Sequence, residues 1–336
     1  MKRNRLLYYA KKILVFFLSI FALSVAVFYI SRLAPGEPLI SYYGDRVEKM
    51  SVEEKETARE KLGLNEPIHV QYRKWLQNAL EGNFGISYKY KQDVTEVIKL
   101  RLGNTLILGI TGFIIIFTGA LLLGVVCAYY EDGWIDKLLQ KSGTFISCIP
   151  EFWLSLVAIL IFAVMLHILP SGGAYDVGKS ADIGNRIRHL ILPLTIVVIN
   201  HLWYYAYMIR NKLLEETRAD YVLLAKSKGL PKKKVMFAHC LKNIMPSYIS
   251  LMAISVPHIL GGTYIVETVF GYPGIGTLSY ESARYADYNM LMVLCMMTGI
   301  AVIFFSMIGQ MINERIDPRL KANEITEIKE GDNNGR

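Results

Sequence analysis

The residues with the most suggestive chemistry are eight that match a phosphate-binding pattern letter for letter. Residues 173–180 read GAYDVGKS, which fits G-x-x-x-x-G-K-[ST]. Such a loop binds phosphate because a strand delivers it and a helix N-terminus follows, which aims backbone amides at the anion. Here an apolar run and Pro170 come first, DIGN at residues 182–185 is a weak helix start, and no apolar strand ending in Asp supplies a second nucleotide motif. We therefore predict an ordinary Gly-rich loop and no ATPase site in this chain.

Histidine, methionine and cysteine side chains along the apolar runs raise the question of a metal path. The histidines and methionines concerned are His167, His189, His201, His258, Met292, Met296 and Met297. Their spacing is not that of one ligand cluster. The cysteines are far apart and predict small buried residues, not a disulfide framework or a zinc site: Cys127, Cys148, Cys240 and Cys295. We expect no metal site and no catalytic residues, because the convergent nucleophile, base or metal set of a membrane enzyme is missing.

Aromatic and acidic side chains near the ends of apolar runs are two further candidates. The aromatic group at Trp203, Tyr204, Tyr205 and Tyr207 is interpreted as a membrane-interface belt, with the lining of a transport path as the alternative. Glu267 stands at a predicted membrane edge, where a carboxylate is costly unless it pairs or faces water. A helix-packing or snorkelling glutamate and a functional one both remain open for this position.

The composition places the chain in the membrane. It has 336 residues, of which 53% are hydrophobic, and a net charge of +8. The apolar residues are concentrated in uncharged runs of about 20 residues, which is the length that crosses a bilayer as a helix. Positive loops account for the charge, so it is weak evidence for nucleic-acid binding. The predicted fold class is an all-α integral membrane protein.

Six apolar runs are long enough to span a membrane: residues 13–30, 104–130, 152–169, 191–209, 248–266 and 290–312. The fifth is predicted to break near Pro257 and Gly261-Gly262, and residues 131–141 are predicted to be a short inside loop. A signal peptide is the rival interpretation of the first run, but the run is long for that and SRLA at residues 31–34 is a poor cleavage site. In the external segment, Ser51 followed by Glu54 predicts a capped helix over residues 51–62.

The loop after the fourth run is the most basic between two spans. Nine Lys or Arg residues lie between Arg210 and Lys242, which predicts a cytoplasmic loop and, with six spans, both termini inside. Ala219 to Lys228 contains no Gly or Pro, and Gly229 supplies a helix stop. A second helix is predicted from Lys232 to Lys242 after Pro231. Helical spacing gives the first helix an apolar face at Tyr221, Leu224, Ala225 and Lys228.

These loop residues carry a resemblance. ADYVLLAKSKGL at 219–230, followed by HCLKN and a Pro, resembles the EAA loop of ABC importer permeases, most closely the first-permease (B-type) subunits of the oligopeptide, dipeptide and nickel branch. Other stretches resemble the same family: LAPGEP at 33–38, residues 60–87, IPEFWL at 149–154, LPSGG at 169–173 and VETVFGYPGIG at 266–276, with DY at 287–288. Asn83 is a departure, since the family usually has Asp there.

The resemblance implies a role for two sets of residues. An ATPase-coupling helix would fit a groove on a cytoplasmic ATPase and is carried by Ala219, Asp220, Tyr221, Leu224, Ala225, Lys228 and Gly229. An external loop would form part of the floor beneath a docked binding protein and is carried by Glu267, Phe270, Pro273, Gly274 and Gly276. The small residue Ala225 is expected to allow close approach to the partner groove.

The resemblance also implies the organisation and partners. We expect a cytoplasmic N-terminus (1–12), a first span (13–30), an external segment (31–103), a permease domain (104–319) with its coupling loop (211–247), and a disordered cytoplasmic tail (320–336). The partners would be a second similar permease, two ATPase subunits that bind ATP and Mg, and an external substrate-binding protein, in a bacterial or archaeal cell membrane. The chain itself would bind no cofactor. Peptides are the expected substrate, and nickel or a metal chelate is the alternative.

A different class, the stand-alone secondary transporter, predicts charged or polar residues at mid-span and inverted repeats. The predicted spans hold almost no charge, and no internal repeat is visible.

Overall fold

The computed structural model describes residues 2–33, 39–61 and 63–316, and within these ranges the chain is helical with no β-strand. An isolated antiparallel bridge joins Ile86 and Asp93. The predicted all-α membrane class is confirmed. Most of LAPGEP (34–38), Leu62 and the tail predicted to be disordered (320–336) lie outside the described residues.

The first part of the chain holds five helices: α1 (Lys2–Leu33), α2 (Ile40–Tyr43), α3 (Val52–Lys61), α4 (Ile68–Leu80) and α5 (Val94–Tyr129), with a 3-10 segment at Gly44–Lys49. The capping prediction before α3 is confirmed. The Ser51 amide donates to the Glu54 carboxylate (2.7 Å), and the Glu54 amide donates to Ser51 Oγ (3.2 Å). Two of the unpaired amides at this helix start are therefore satisfied.

The middle of the chain forms α6 (Trp134–Ser147), α7 (Glu151–Ala158) with a π-helical continuation (Ile159–Met165), α8 (Ile183–Thr217) and α9 (Asp220–Ser227). The last part forms α10 (Lys232–Lys234), a π-helical segment (Val235–Cys240), α11 (Leu241–Val269), α12 (Ile275–Arg284) and α13 (Tyr288–Ile316). Among the described residues, five helical stretches are long and apolar enough to cross a membrane, or six if the bent α6–α7 pair is one span.

Several helices extend beyond the apolar runs that predict the spans. The helix that contains the second run begins at Val94, ten residues before Asn104. The predicted loop at residues 131–141 is largely helical, because α6 starts at Trp134. The helix of the fourth span begins at Ile183, since the Asp182 carboxylate accepts a hydrogen bond from the Asn185 amide (3.1 Å) and caps the helix.

The third span is shorter than predicted and follows a sharp bend. The α6 and α7 axes meet at 94° across residues 148–150. Pro150 has extended backbone (φ −61°, ψ 138°) and no amide hydrogen, so the α6 helix cannot continue through it. The helical residues end at Met165 and not at Leu169.

The predicted break in the fifth span is also wrong. The α11 helix runs through Pro246 and Pro257 to Val269, and with α10 and the π segment it is continuous from Lys232. The separate second helix predicted for Lys232 to Lys242 is thus the start of this long one. A membrane helix tolerates internal proline where side chains and local adjustments satisfy the freed backbone groups.

The chain divides into two compact units. The first contains residues 1–106 and 273–304, and the second contains residues 107–272 and 305–336. In the first, α1 packs on α4 through Phe28, Tyr72 and Trp75, and Ser24 Oγ hydrogen-bonds the Tyr72 hydroxyl (2.7 Å).

The core of the second unit joins α5, α8 and α11. Phe117 lies between Tyr205 (ring centroids 4.8 Å apart) and Tyr248, whose hydroxyl donates to the Phe117 carbonyl (3.0 Å). Gly124 allows α5 and α8 to approach closely, because a Cβ at this position would lie 2.8 Å from Ile209 Cγ2.

Candidate functional site

The basic loop contains the short helix that its sequence predicts. The α9 helix covers Asp220–Ser227, and Gly229 after it has φ +77°. The Gly229 amide donates to the Lys226 carbonyl (2.9 Å), and the Leu230 amide donates to the Ala225 carbonyl (3.2 Å). This pair of bonds is a Schellman motif, which ends a helix at a left-handed residue and satisfies its last carbonyl groups.

The apolar face predicted for α9 is only partly exposed. Val222 and Ala225 are buried (0% and 7% exposed) and belong to the core of the second unit. The exposed side carries Asp220, Leu223 and Leu224, and both leucines are 56% exposed. The expectation that Ala225 faces a partner is therefore wrong: a step of three residues places it directly above Val222, on the inward face.

Polar bonds also hold α9 to its own chain. The Tyr221 hydroxyl donates to the Glu216 carboxylate at the end of α8. The same carboxylate accepts a hydrogen bond from the Asn243 side chain of α11 (3.5 Å). Burial, together with the bond to Glu216, raises the pKa of Tyr221, so its hydroxyl remains a proton donor at physiological pH. Tyr221 is thus an anchoring residue of α9.

A buried ion pair next to this loop was missed by the sequence analysis. Arg210 of α8 makes a two-pronged bond to Asp136 of α6, with Nε to Oδ1 at 2.8 Å and Nη2 to Oδ2 at 2.6 Å. Gln140 Nε2 (2.8 Å) and the Asp132 amide (3.1 Å) also donate to the carboxylate, which is fully buried. Nearby, Arg218 Nη2 lies 2.8 Å from Glu131 Oε1. The α5–α6 connection is therefore tied to the α8 end that leads into α9.

A second missed acid lies at the bend between α6 and α7. Glu151, in the IPEFWL stretch, is only 8% exposed, and its Oε1 has no hydrogen-bond partner among the described residues. Its side chain interacts with Asn200 of α8. The available sequence signal was a single carboxylate directly before an apolar run.

The predicted external loop begins at the end of α11. Glu267 is fully buried and Phe270 is 2% exposed, so the snorkelling alternative for Glu267 is wrong. The Gly173 amide donates to the Phe270 carbonyl (2.9 Å), which joins LPSGG to this motif. Gly172 is required there, because an added Cβ would collide with that carbonyl oxygen.

The remaining residues of this motif belong to the other unit. Gly274 is the N-cap of α12, and its amide donates to Thr277 Oγ1 (3.0 Å). The Asn104 side chain donates to the Pro273 carbonyl (2.8 Å), and the Ile275 amide, directly before Gly276, donates to Thr105 Oγ1 (2.7 Å). The Pro-Gly segment is therefore fixed to the first third of α5.

The phosphate-binding pattern has another structural role. Residues 173–180 lie in an irregular loop, and Lys179 Nζ is 3.5 Å from Asp176 Oδ2. Asp176 also accepts from Asn185 Nδ2 (2.7 Å) and lies 3.2 Å from His189 Nε2, and these bonds keep its pKa below the usual range. The Asp176 carboxylate already binds Lys179, Asn185 and His189, which are the groups that could otherwise bind a phosphate. These contacts hold the loop in place and do not form a phosphate-binding site.

Two of the candidate histidines, His201 and His258, lie next to each other in the second unit. His201 and His258 face each other (ring centroids 5.2 Å apart), and His258 Nδ1 lies 3.1 Å from the Tyr205 hydroxyl. Within the described ranges, no three His, Cys, Asp or Glu side chains are grouped to hold an ion. Tyr205 is buried, so the belt interpretation is wrong for it, whereas Tyr204 and Tyr207 are exposed.

Comparison with protein families identifies two matching models. The binding-protein-dependent transport system inner membrane component matches residues 120–322, and the N-terminal component of the same membrane proteins matches residues 5–109. The two matches cover nearly all of the first unit and most of the second.

Curated relatives agree with these matches. The chain is 31% identical to the oligopeptide transport system permease protein AppB of Bacillus subtilis, over 89% of this chain and 94% of the relative. It is 30% identical to a putative peptide permease protein of Brucella suis, over 90% and 94%. It is 29% identical to the metal-staphylopine import system permease protein CntB of Staphylococcus aureus, over 78% and 81%.

A solved structure has the same fold. A chain of the inward-facing MetNI methionine ABC transporter aligns with a TM-score of 0.52 at 16% identity, over 66% of this chain and 97% of that one. At this identity the likeness concerns the fold alone. With two family models together spanning most of the sequence, the chain belongs to the inner membrane components of binding-protein-dependent transport systems.

Proposed function

We propose that the protein is a membrane-spanning permease subunit of an ATP-driven ABC importer of peptides, and that α9 couples it to a cytoplasmic ATPase. The observation that carries this proposal is the exposed pair Leu223 and Leu224 on a short helix whose opposite face is buried. Two adjacent exposed leucines between basic loops are suited to an apolar groove on a partner.

The coupling step follows from how α9 is held. Val222 and Ala225 fix it to the core, and Tyr221 and Glu216 fix it to α8, so a push on the exposed leucines moves the ends of α8 and α11. ATP binding would close the ATPase dimer, carry α9 with it and open the path outward; hydrolysis would reset the inward state. The ATPase subunits bind ATP and Mg, and this chain performs no bond chemistry.

The arrangement in the membrane follows from charge. The nine Lys and Arg residues between Arg210 and Lys242 favour a cytoplasmic α9. With six spans, both termini are cytoplasmic, and α2 to α4 and α12 face outward toward a substrate-binding protein. A second, similar permease completes the path. The cell membrane of a bacterium or archaeon is the proposed location.

The peptide substrate rests on the relatives. Several of them carry peptide or oligopeptide in their names, including the B. subtilis and B. suis proteins. The S. aureus relative, named for metal-staphylopine import, favours a metal chelate as the second candidate. Substrate-dependent stimulation of the assembled transporter by short peptides, set against nickel or a metal chelate, separates the two.

The coupling proposal is tested by the double variant Leu223→Asp/Leu224→Asp in a transporter reconstituted with its partner subunits. Burial of a leucine side chain contributes about 1.5–3 kcal/mol, so ATPase association should weaken by at least about tenfold. Peptide uptake should fall with it, while membrane insertion and the substrate affinity of the external binding protein should not change.

Two further variants make the result specific. Leu223→Ala/Leu224→Ala removes apolar area without adding charge and should give an intermediate loss. Glu215→Ala alters a nearby exposed residue on α8 and should behave like the wild type. Normal association and uptake by the Asp variant would show that the loop only sets topology.

A further inference from the structure

The first unit contains a basic, tyrosine-lined pocket that none of the matched motifs includes. Its volume is about 400 Å³, and its walls include Asp45, Tyr88, Lys89, Lys91, Arg284 and Tyr285. The first four residues come from the segments between α1 and α5, and the last two come from the end of α12 and the turn before α13. Three cations and one acid therefore line one concave surface.

Hydrogen bonds hold the pocket walls together. The Ser87 amide donates to the Gln92 carbonyl (2.9 Å) and closes a tight hairpin. The Asp287 carboxylate is fully buried and accepts hydrogen bonds from Ser87 Oγ and from the Lys89 amide (3.3 Å). The Asn289 side chain donates to the Ile86 carbonyl (3.1 Å). The hairpin and the turn before α13 are thus one rigid wall.

The other side of the pocket fits closely against Tyr88. A Cβ at Gly44 would overlap the Tyr88 ring, so only glycine allows the segment after α2 to pack there. The Asp45 amide also donates to the Tyr88 hydroxyl (3.2 Å). Lys91 and Ala286 have left-handed backbone (φ +55° and +52°), which side chains with a Cβ rarely adopt.

One of the three cations is already neutralised. Lys89 Nζ lies 2.6 Å from Glu281 Oε2, and the Tyr90 hydroxyl donates to the same carboxylate. Burial and the bond to Glu281 raise the pKa of Tyr90 to about 12, so Tyr90 remains an uncharged donor. Lys89 therefore supports the wall and contributes little free charge to the pocket.

The other two cations have aromatic neighbours but no acidic partner among the described residues. Lys91 Nζ lies 3.9 Å from the centroid of the Tyr88 ring, and the Arg284 guanidinium lies 5.7 Å from that of Tyr285. Stacking on a ring restricts a long side chain without neutralising its charge. Lys91 and Arg284 are exposed and so remain available to an anion.

We propose that this pocket is a docking site for an acidic side chain of the external substrate-binding protein, with Lys91 and Arg284 as the recognising cations. The proposal rests on the proposed function, which places this unit outside. A guanidinium binds a carboxylate through two parallel hydrogen bonds, and an ammonium adds a point charge from the other side.

The test measures association of the cognate substrate-binding protein with the complete transporter, including its ATPase subunits, in lipid nanodiscs. Lys91→Glu/Arg284→Glu reverses both recognising charges. We expect binding on the order of tenfold weaker, and a weaker dependence of that binding on salt. The matched control is Lys55→Glu/Lys61→Glu, which makes the same charge change on a half-buried and an exposed residue of α3 and should have a much smaller effect.

Further comparisons distinguish docking of the binding protein from binding of lipid phosphate. Nanodiscs of phosphatidylcholine and of mixed phosphatidylcholine and phosphatidylglycerol should show the same loss; a loss confined to the anionic lipid would mean that the pocket binds lipid phosphate. Equal weakening by both double variants, or no weakening, would also overturn the proposal. Association of the ATPase is measured in the same samples. If the ATPase does not associate with the wild-type transporter, the proposed function is contradicted. If the ATPase associates but the charge-reversal variant binds the substrate-binding protein as tightly as the wild type does, only this inference is contradicted.

Discussion

The backbone conformation at position 229 favours glycine. Its φ is +77°, and an added Cβ would meet no atom within 4 Å, so a side chain costs conformational energy and not space. The left-handed residue completes the bonds from Gly229 and Leu230 to the last carbonyls of α9. The conformation therefore sets the direction in which the chain leaves α9.

Substitution of Gly229 should follow conformational preference. Gly229→Val should destabilise the turn by roughly 1–2 kcal/mol or more, because a β-branched residue resists the left-handed region. Gly229→Asn should be tolerated, because Asn adopts this region most readily after Gly. Peptide-stimulated ATPase activity and uptake by the reconstituted transporter should fall for Val and stay near wild type for Asn; equal activity of both variants would show that the turn is not needed.

Ala225 packs in the protein's own core, whereas its sequence position suggested a contact with the partner. It is 7% exposed and lies in the core of the second unit, so Ala225→Asp would bury an unpaired charge within the protein itself. A loss of transport in this variant would therefore result from displacement of α9 from the core, and not from a lost contact with the ATPase. The partner contact is better examined at Leu224, one residue earlier and 56% exposed.

The helices differ in how far their sequences predict them. The α9 helix and its glycine stop were predictable because capping, propensity and helix length are local properties. Which residues α9 buries depends on contacts with distant helices, and the sequence wrongly placed Ala225 on the side that faces a partner. The Asp136–Arg210 pair joins residues 74 positions apart, and Asp136 had been placed in a loop. Hydropathy located most spans but not their polar ends, since α5 and α8 extend into charged sequence.

The buried pair between α6 and α8 gives an element-scale prediction. Asp136→Asn leaves the Arg210 charge buried without its partner, and breaking such a pair costs about 3–5 kcal/mol. The purified variant should melt at clearly lower temperature in detergent. Glu131→Gln is the matched control, because it removes the partner of a largely exposed arginine, Arg218 (72% exposed), and exposed pairs contribute little. An equal fall in melting temperature for both variants would show that the Asp136–Arg210 pair contributes no more to stability than the exposed pair does.

For the whole molecule, the described helices place its recognisable features in two units. One holds the hairpin, α12 and the basic pocket, and the other holds α9, its anchors and the Asp136–Arg210 pair. The family matches divide the chain differently, since the N-terminal model covers residues 5–109 and the transport component covers 120–322, which includes residues 273–304 of the first unit. We propose that the ATPase docks on the second unit and the binding protein on the first.

The central claim is that the leucine face of α9, and not its alanine face, contacts the ATPase. The most direct measurement is site-specific crosslinking from Leu224→Cys and Ala225→Cys, each in a background without the four native cysteines, within the assembled transporter. Leu224→Cys should crosslink to the ATPase subunit, and the yield should change when ATP is added. Ala225→Cys should give little product. Crosslinking from Ala225→Cys with none from Leu224→Cys would contradict the account.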